Sequence, residues 1–273
     1  LQKASDGALS GLVSALGDRW SYYVDAESYT ALLERRSNQY VGIGVTVKFD
    51  DERGLSIQTV TAGAPAETAG LLPGEVITAV NGESVAGEAR YDATGLISGP
   101  AGTALSLTVL DGTGAAREVE VVLASIPTQV AVGRLLDNGV GVVSLKNFNT
   151  DAAERFRAVT DDLVDQGATA LVFDMRGNGG GYIAELTEIL DYLLPEGVVF
   201  QSQPRWGFHY ESKSDAACVS LPFAVLVDKN TYSAAELFAA ELRETAGACI
   251  VGEVTSGKGY SQLTIPLANG GAM

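Results

Sequence analysis

The sequence predicts an α/β protein with a β-rich unit inserted ahead of its core and a helical segment at its N-terminal end. Three observations carry this. Residues 140–252 hold short apolar runs separated by helix-length stretches, the pattern of parallel strands covered on both faces. Residues 39–126 switch to an apolar period of two with glycine-rich turns, as in antiparallel strands. Residues 1–38 repeat Leu9, Leu12, Val13 and Leu16 at helix spacing.

Taken in order, Gly17-Asp18 ends the first helix, and a second is expected over 26–36 with Asp25 as its N-cap. Val41, Ile43, Val45, Val47 and Phe49 alternate as one strand, and Leu55, Ile57 and Thr59 return after a turn. Pro65 to Leu71 reads as a short helix, Val76–Val80 as a strand, and Asn81-Gly82 as a hairpin turn. A helix around 88–97 and strands near 104–110 and 117–124 complete the unit. The core then reads as strands at 140–145, 170–175, 223–227 and 249–252, with helices at 150–166, 182–194 and 234–246.

Composition narrows the function. Eighteen Lys and Arg stand against 34 Asp and Glu, a formal charge of −16. Polyanions bind to clustered cations, so nucleic acid is not an expected partner, nor is an anionic membrane surface. Cys218 and Cys249 lie on or beside apolar strands and are expected to pack as small hydrophobes. Their spacing matches no zinc pattern, so neither a metal nor a cofactor is expected. Asp161, Asp162 and Asp165 form a solvated helix face.

Two residues draw attention for chemistry. Ser233 sits where an apolar strand meets a helix, in Asn230-Thr-Tyr-Ser-Ala-Ala-Glu236. A serine there is ordinarily a helix N-cap, and a serine nucleophile needs a base. The chain has one histidine, His209, in a polar, irregular stretch where a surface or groove position is expected. Lys258, in Gly257-Lys-Gly259, is the other candidate base. A lysine is protonated at neutral pH unless burial lowers its pKa from about 10.4.

The segment Tyr40-Val-Gly-Ile-Gly-Val45, followed by Pro65-Ala-Glu-Thr-Ala-Gly-Leu-Leu-Pro-Gly-Glu-Val-Ile-Thr-Ala-Val-Asn-Gly82, resembles a PDZ domain over residues 39–126. That resemblance implies a backbone cradle at Gly42, Ile43, Gly44 and Val45 for the C-terminal carboxylate of a peptide, which adds as a strand to a sheet edge. Ser98 stands where proteases with this domain often carry arginine.

Ser233 and Lys258 are 25 residues apart, and Gln262 follows four later. With Asp174-Met-Arg-Gly-Asn-Gly-Gly-Gly181 upstream, the pattern resembles the C-terminal processing peptidases, a serine–lysine family (S41) with a PDZ insert. The glycine run lacks the Gly-Lys-Ser/Thr ending of a phosphate-binding P-loop. Gly179 and Ala235 depart from the family's usual residues without removing a reacting group. The resemblance implies a core of the ClpP/crotonase type (residues 127–273), with Ser233 as nucleophile, Lys258 as base and Gln262 holding the lysine. The N–H of Gly180 or Gly181 and that of Ala234 would form the oxyanion hole. Expected partners are proteins or peptides with free C-termini. An extracytoplasmic location, in periplasm or cell envelope, follows by the same resemblance.

Two other functions compete: a PDZ-type binding or scaffold protein with an inactive core, and a crotonase-like acyl-CoA enzyme. The family's core usually continues past the glutamine, so this core reads as truncated, and the missing strands would leave an open edge or favour a homodimer.

Overall fold

The structure, a computed structural model, describes residues 1–50, 52–87, 93–204, 207 and 209–273. The chain forms two compact units, residues 39–128 and residues 1–38 with 129–273.

The smaller unit begins with β1 (Gln39–Gly42) and β2 (Val45–Asp50). β3 (Gly54–Val60), α3 (Pro65–Thr68), β4 (Val76–Val80), β5 (Glu83–Ser84) and α4 (Ala93–Leu96) follow. β6 (Ala104–Leu110), β7 (Ala116–Val122) and β8 (Ala124–Pro127) close it. An antiparallel sheet runs β2-β3-β4-β6-β7, with β5 beside β4. β1 pairs separately with β8. The single strand expected over 41–49 is broken in two. Gly44 adopts φ +84°, and a Cβ there would lie 2.2 Å from the Ala64 Cβ, so only glycine turns the chain this tightly. The hairpin at Asn81-Gly82 forms, both residues having positive φ. Of the helix expected around 88–97, residues 88–92 lie outside the described residues.

Leu55, Ile57, Ile77, Leu107 and Val109 are fully buried and fill this unit's core. Glu75, at the turn into β4, is also buried. Its carboxylate accepts from Arg117 at 2.9 Å and from the Leu72 N–H at 2.9 Å, which offsets the desolvation of a buried charge.

The larger unit starts with α1 (Gln2–Ser14) and α2 (Ala26–Arg36). Asp25 caps α2 as expected, accepting from the Ser28 N–H at 2.8 Å. α1 buries only Val13, and Leu12 and Leu16 face solvent. The core elements are β9 (Ala131–Leu135), β10 (Val140–Leu145), α5 (Ala152–Asp165), β11 (Ala170–Asp174) and α6 (Ile183–Leu193). β12 (Gly197–Ser202), β13 (Tyr210–Ser214), β14 (Phe223–Val227), α7 (Ala234–Ala246) and β15 (Cys249–Gly252) follow. The sheet order is β15-β14-β11-β10-β9. Its first four strands are parallel, as continuous apolar runs require, and β9 joins antiparallel at the edge.

Phe148, Phe156, Phe173 and Phe238 are fully buried and touch one another, with centroids 5.3 to 6.3 Å apart. They join α5, β11 and α7 under the carboxyl ends of the strands. Glu185 of α6 accepts from the N–H groups of Asp151 (3.1 Å) and Ala153 (2.8 Å), so one helix caps the start of another. The antiparallel pair β12–β13 and the edge strand β9 were not expected. Cys218 and Cys249 are exposed free thiols rather than packed residues: Cys249 begins β15, the outermost strand of its sheet, and Cys218 lies in the connection between β13 and β14. Residues 22–25 bond to the last residues: Val24 and Ala272 exchange two backbone hydrogen bonds of 2.9 Å.

Phe238 contacts three aromatic rings from α7, so Phe238→Ala is expected to destabilise this unit by about 3–5 kcal/mol. Denaturant unfolding of the two proteins checks this.

Candidate active site

Four short loops converge where β11 and β14 end. The first follows β11. Asp174 and Arg176 form a two-pronged ion pair of 2.7 and 2.8 Å, which holds the Asp174 carboxyl below its ordinary range. Asn178 is wholly buried and fully used. Its Nδ2 donates to the Leu145 carbonyl at 3.0 Å, and its Oδ1 accepts the Gly180 N–H at 2.9 Å. Its own carbonyl accepts the Tyr232 N–H at 3.1 Å. Thr231, also buried, donates to the Met175 carbonyl at 2.9 Å. The loops after β11 and β14 are thereby stitched together.

Gly180 and Gly181 both need to be glycine, with φ of +83° and +156°. A Cβ on Gly181 would lie 2.3 Å from the Phe148 carbonyl, and one on Gly180 would lie 3.0 Å from Ala234 N and Ser233 Cβ. Because Asn178 occupies the Gly180 N–H, that group is not the free donor that the sequence left open. Among the described residues no acceptor meets the N–H of Gly181 or of Ala234 at the first position of α7.

Ser233 occupies the N-cap of α7 with φ 61° and ψ −124°. A non-glycine residue there stores about 1–3 kcal/mol of strain, and persists only if neighbours over-determine it. Glu236 does so. Its Oε2 accepts from the N–H of Ser233 (2.7 Å) and of Lys258 (2.9 Å). Its Oε1 accepts from the Thr255 hydroxyl and the Gly257 N–H, both at 2.6 Å. Burial pushes this carboxyl up, but the four hydrogen bonds outweigh it and leave it below its ordinary value of 4.5.

Lys258 and Ser233 line one cavity of ≈ 440 Å³ together with Glu236, Ile183, Phe200 and Leu237. Lys258 is half-buried. Its Nζ donates to Gln262 Oε1 and lies 4.8 Å from the Trp20 ring centroid and 5.6 Å from that of Tyr232. Burial first, then the charge of Arg36, holds the amine below its ordinary value, and Glu236 opposes them. No hydrogen bond joins Lys258 Nζ to the Ser233 hydroxyl among the described residues. Gln262 is exposed, and its Nε2 donates to the Trp20 carbonyl. Gly179 gives Tyr232 its place, since a Cβ there would lie 2.9 Å from that ring. His209 is exposed and lines none of this.

Against known proteins, residues 139–273 match peptidase family S41 and residues 56–111 match the PDZ domain. Residues 139–273 are a peptidase family S41 domain. The chain is 31% identical to carboxy-terminal processing protease CtpA of Bacillus subtilis over 95% of its length, and 30% identical to CtpB of the same organism over 98%. It covers 56% and 57% of those proteins, so it spans little more than half the length of these curated relatives. Among solved structures, a photosystem II D1 C-terminal processing protease aligns over 100% of this chain and 75% of its own. The TM-score is 0.55 at 24% identity, a likeness of fold.

In the PDZ-bearing unit, the carbonyls of Ile43 and Gly44 accept from the N–H groups of Ala66 and Thr61, both at 2.8 Å. Among the described residues no acceptor meets the N–H of Ile43 or Gly44.

Trp20, Arg36, Thr255 and the part played by Glu236 were not read from sequence. Only Glu236 left a signal, because Ser233-x-x-Glu236 has the form of a capping box.

Glu236, with its lowered pKa, stabilises the fold above its unfolded value, and that stability is lost as pH falls through the folded value. Glu236→Gln offers one oxygen to four donors, so it should melt lower than wild type at pH 7. The gap should shrink as pH drops below about 4.5. Melting curves across pH 3–7 check this.

Proposed function

We propose that this chain is a serine endopeptidase that binds the C-terminal tails of proteins through its PDZ domain and cleaves them in its S41 domain. The supporting observation is the shared cavity: Ser233 and Lys258 line it together, on loops pinned by one carboxylate. Ser233 attacks the scissile carbonyl while Lys258 takes its proton; the peptide C–N bond then breaks, the lysine passes that proton to the departing amine, and water hydrolyses the acyl-enzyme left behind. The lysine must be neutral to take the proton, and its lowered pKa favours that form. Closing the gap to Ser233 Oγ requires Nζ to swing within the cavity. Gln262 then orients the amine through its amide oxygen.

The N–H groups of Gly181 and Ala234 meet the developing oxyanion. Among the described residues neither meets an acceptor, and Ala234 adds the positive end of α7. Gly180 contributes by its shape: its missing side chain lets the loop lie against Ser233. In the PDZ domain, Gly42 to Val45 take the tail carboxylate, a reading supported by the amides of Ile43 and Gly44, which meet no acceptor among the described residues. The names of the relatives agree with this substrate class. Processing of this kind is carried out by relatives that include a chloroplastic enzyme, and an extracytoplasmic site of action is part of the proposal. We also assign the core to the ClpP/crotonase type.

A fluorophosphonate probe should label the wild type and neither Ser233→Ala nor Lys258→Ala. A wild type that neither labels nor cuts peptides would leave a PDZ-type binding protein with an inactive core. Mass spectrometry of products from peptides with free and amidated C-termini tests the tail. Free termini should be cut at least about tenfold faster, the difference of one charge-assisted contact. Equal cutting removes the recognition role.

A further inference from the structure

Lys258 and Gln262 are both held by a residue far outside their motif. Trp20 lies between α1 and α2, 238 positions before Lys258. Its ring centroid is 4.8 Å from Lys258 Nζ, within cation–π range. Its carbonyl accepts from Gln262 Nε2. A carbonyl can only accept and an ammonium can only donate, so these two contacts admit one orientation of the Gln262 amide: nitrogen toward Trp20, oxygen toward Lys258. The Trp20 segment is itself fixed. The Asp18 carboxylate accepts from the Trp20 N–H at 3.3 Å and from the Ser21 hydroxyl. Tyr23 donates to Asp6 at 2.6 Å and accepts from Asn269 at 2.7 Å, and Val24 pairs with Ala272.

We propose that Trp20 is a positioning residue for the peptidase reaction, covering the Lys258 amine with its ring and setting the Gln262 amide with its carbonyl. This rests on the proposed serine–lysine chemistry. The segment between the first two helices is then part of the active site, tied down by the chain's last residues. The ring does two things to the amine. It excludes water, which favours the neutral base, and it offers a π-face, which favours the cation. The charged groups acting on the amine are Arg36 from α2 and Glu236 from α7; Tyr232 ahead of α7 faces it with its ring, Tyr260 lines the same cavity, and Arg19 lies 4.6 Å from the same indole. Removing the indole uncovers an amine held below its ordinary value chiefly by burial.

The test uses the full chain and a fluorogenic peptide with a free C-terminus. Trp20→Ala should lower kcat about tenfold with KM within about twofold, and move the base limb of the pH profile to higher pH. Trp20→Phe keeps a ring over the amine and should stay close to wild type. Trp206→Phe leaves Trp20 as the single tryptophan of the two. Its emission should then change with pH as Lys258 titrates, and Lys258→Met should abolish that change. Emission with the same pH dependence in Lys258→Met overturns the contact, with no need of activity. Wild type that labels with fluorophosphonate, together with Trp20→Ala of unchanged kcat and pH profile, overturns the role alone. A wild type that does not label overturns the serine–lysine reading and the role with it.

Discussion

One carboxylate holds the candidate site together. The two oxygens of Glu236 receive four donors from three places: the N-cap of its own helix, the Thr255 hydroxyl, and the backbone of Gly257 and Lys258. A carboxylate is the one common side chain that can accept in this number and donate nothing. It sits in the first turn of α7, where the helix dipole favours negative charge. Its bonds outweigh the cost of its partial burial. Because the same group grips Ser233 and the lysine loop, a shift in either is felt by the other. Asn178 and Thr231 repeat the arrangement with neutral groups, each buried and each bridging loops. Backbone fixed at this many points can keep Ser233 and Gly181 at positive φ.

The elements that bury apolar surface on both sides were legible. β10, β11 and β14 are near-continuous apolar runs, and α5, α6 and α7 carry helix-spaced apolar faces. What escaped lies at edges. β9 and the β12–β13 pair mix exposed and buried positions without clean alternation, since only part of each strand meets the core. Alternation across 41–49 pointed to one strand, but side-chain period says nothing about the φ of Gly44. The cysteines illustrate the same limit: Cys249 begins an apolar strand, yet that strand is outermost.

Within the candidate site, local motifs carried the proposed reacting groups and non-local contacts carried their environment. Ser233, Lys258 and the 179–181 glycines stand out because each sits in a short run of unusual composition. Which amide of the glycine run stays free depends on where the Asn178 side chain turns, which spacing does not determine. Trp20 and Arg36 reach Lys258 from the N-terminal segment, more than two hundred residues away in sequence. Among several aromatics in residues 20–29, nothing marks Trp20 as the one over an amine.

The charge on Lys258 is a contest, and its terms sit on different parts of the chain. Burial and Arg36 favour the neutral amine, while Glu236 and the two aromatic faces favour the cation. Of these, burial depends on what occupies the cavity. Ile183, Phe200 and Leu237 give that cavity an apolar wall beside Ser233. An apolar group seated there removes water next to the amine, which strengthens the effect of burial without moving any charge. The fixed charges are held by the stitched loops and stay where they are. In the proposed reaction, an amine already held below its ordinary value therefore becomes a better base as the cavity fills.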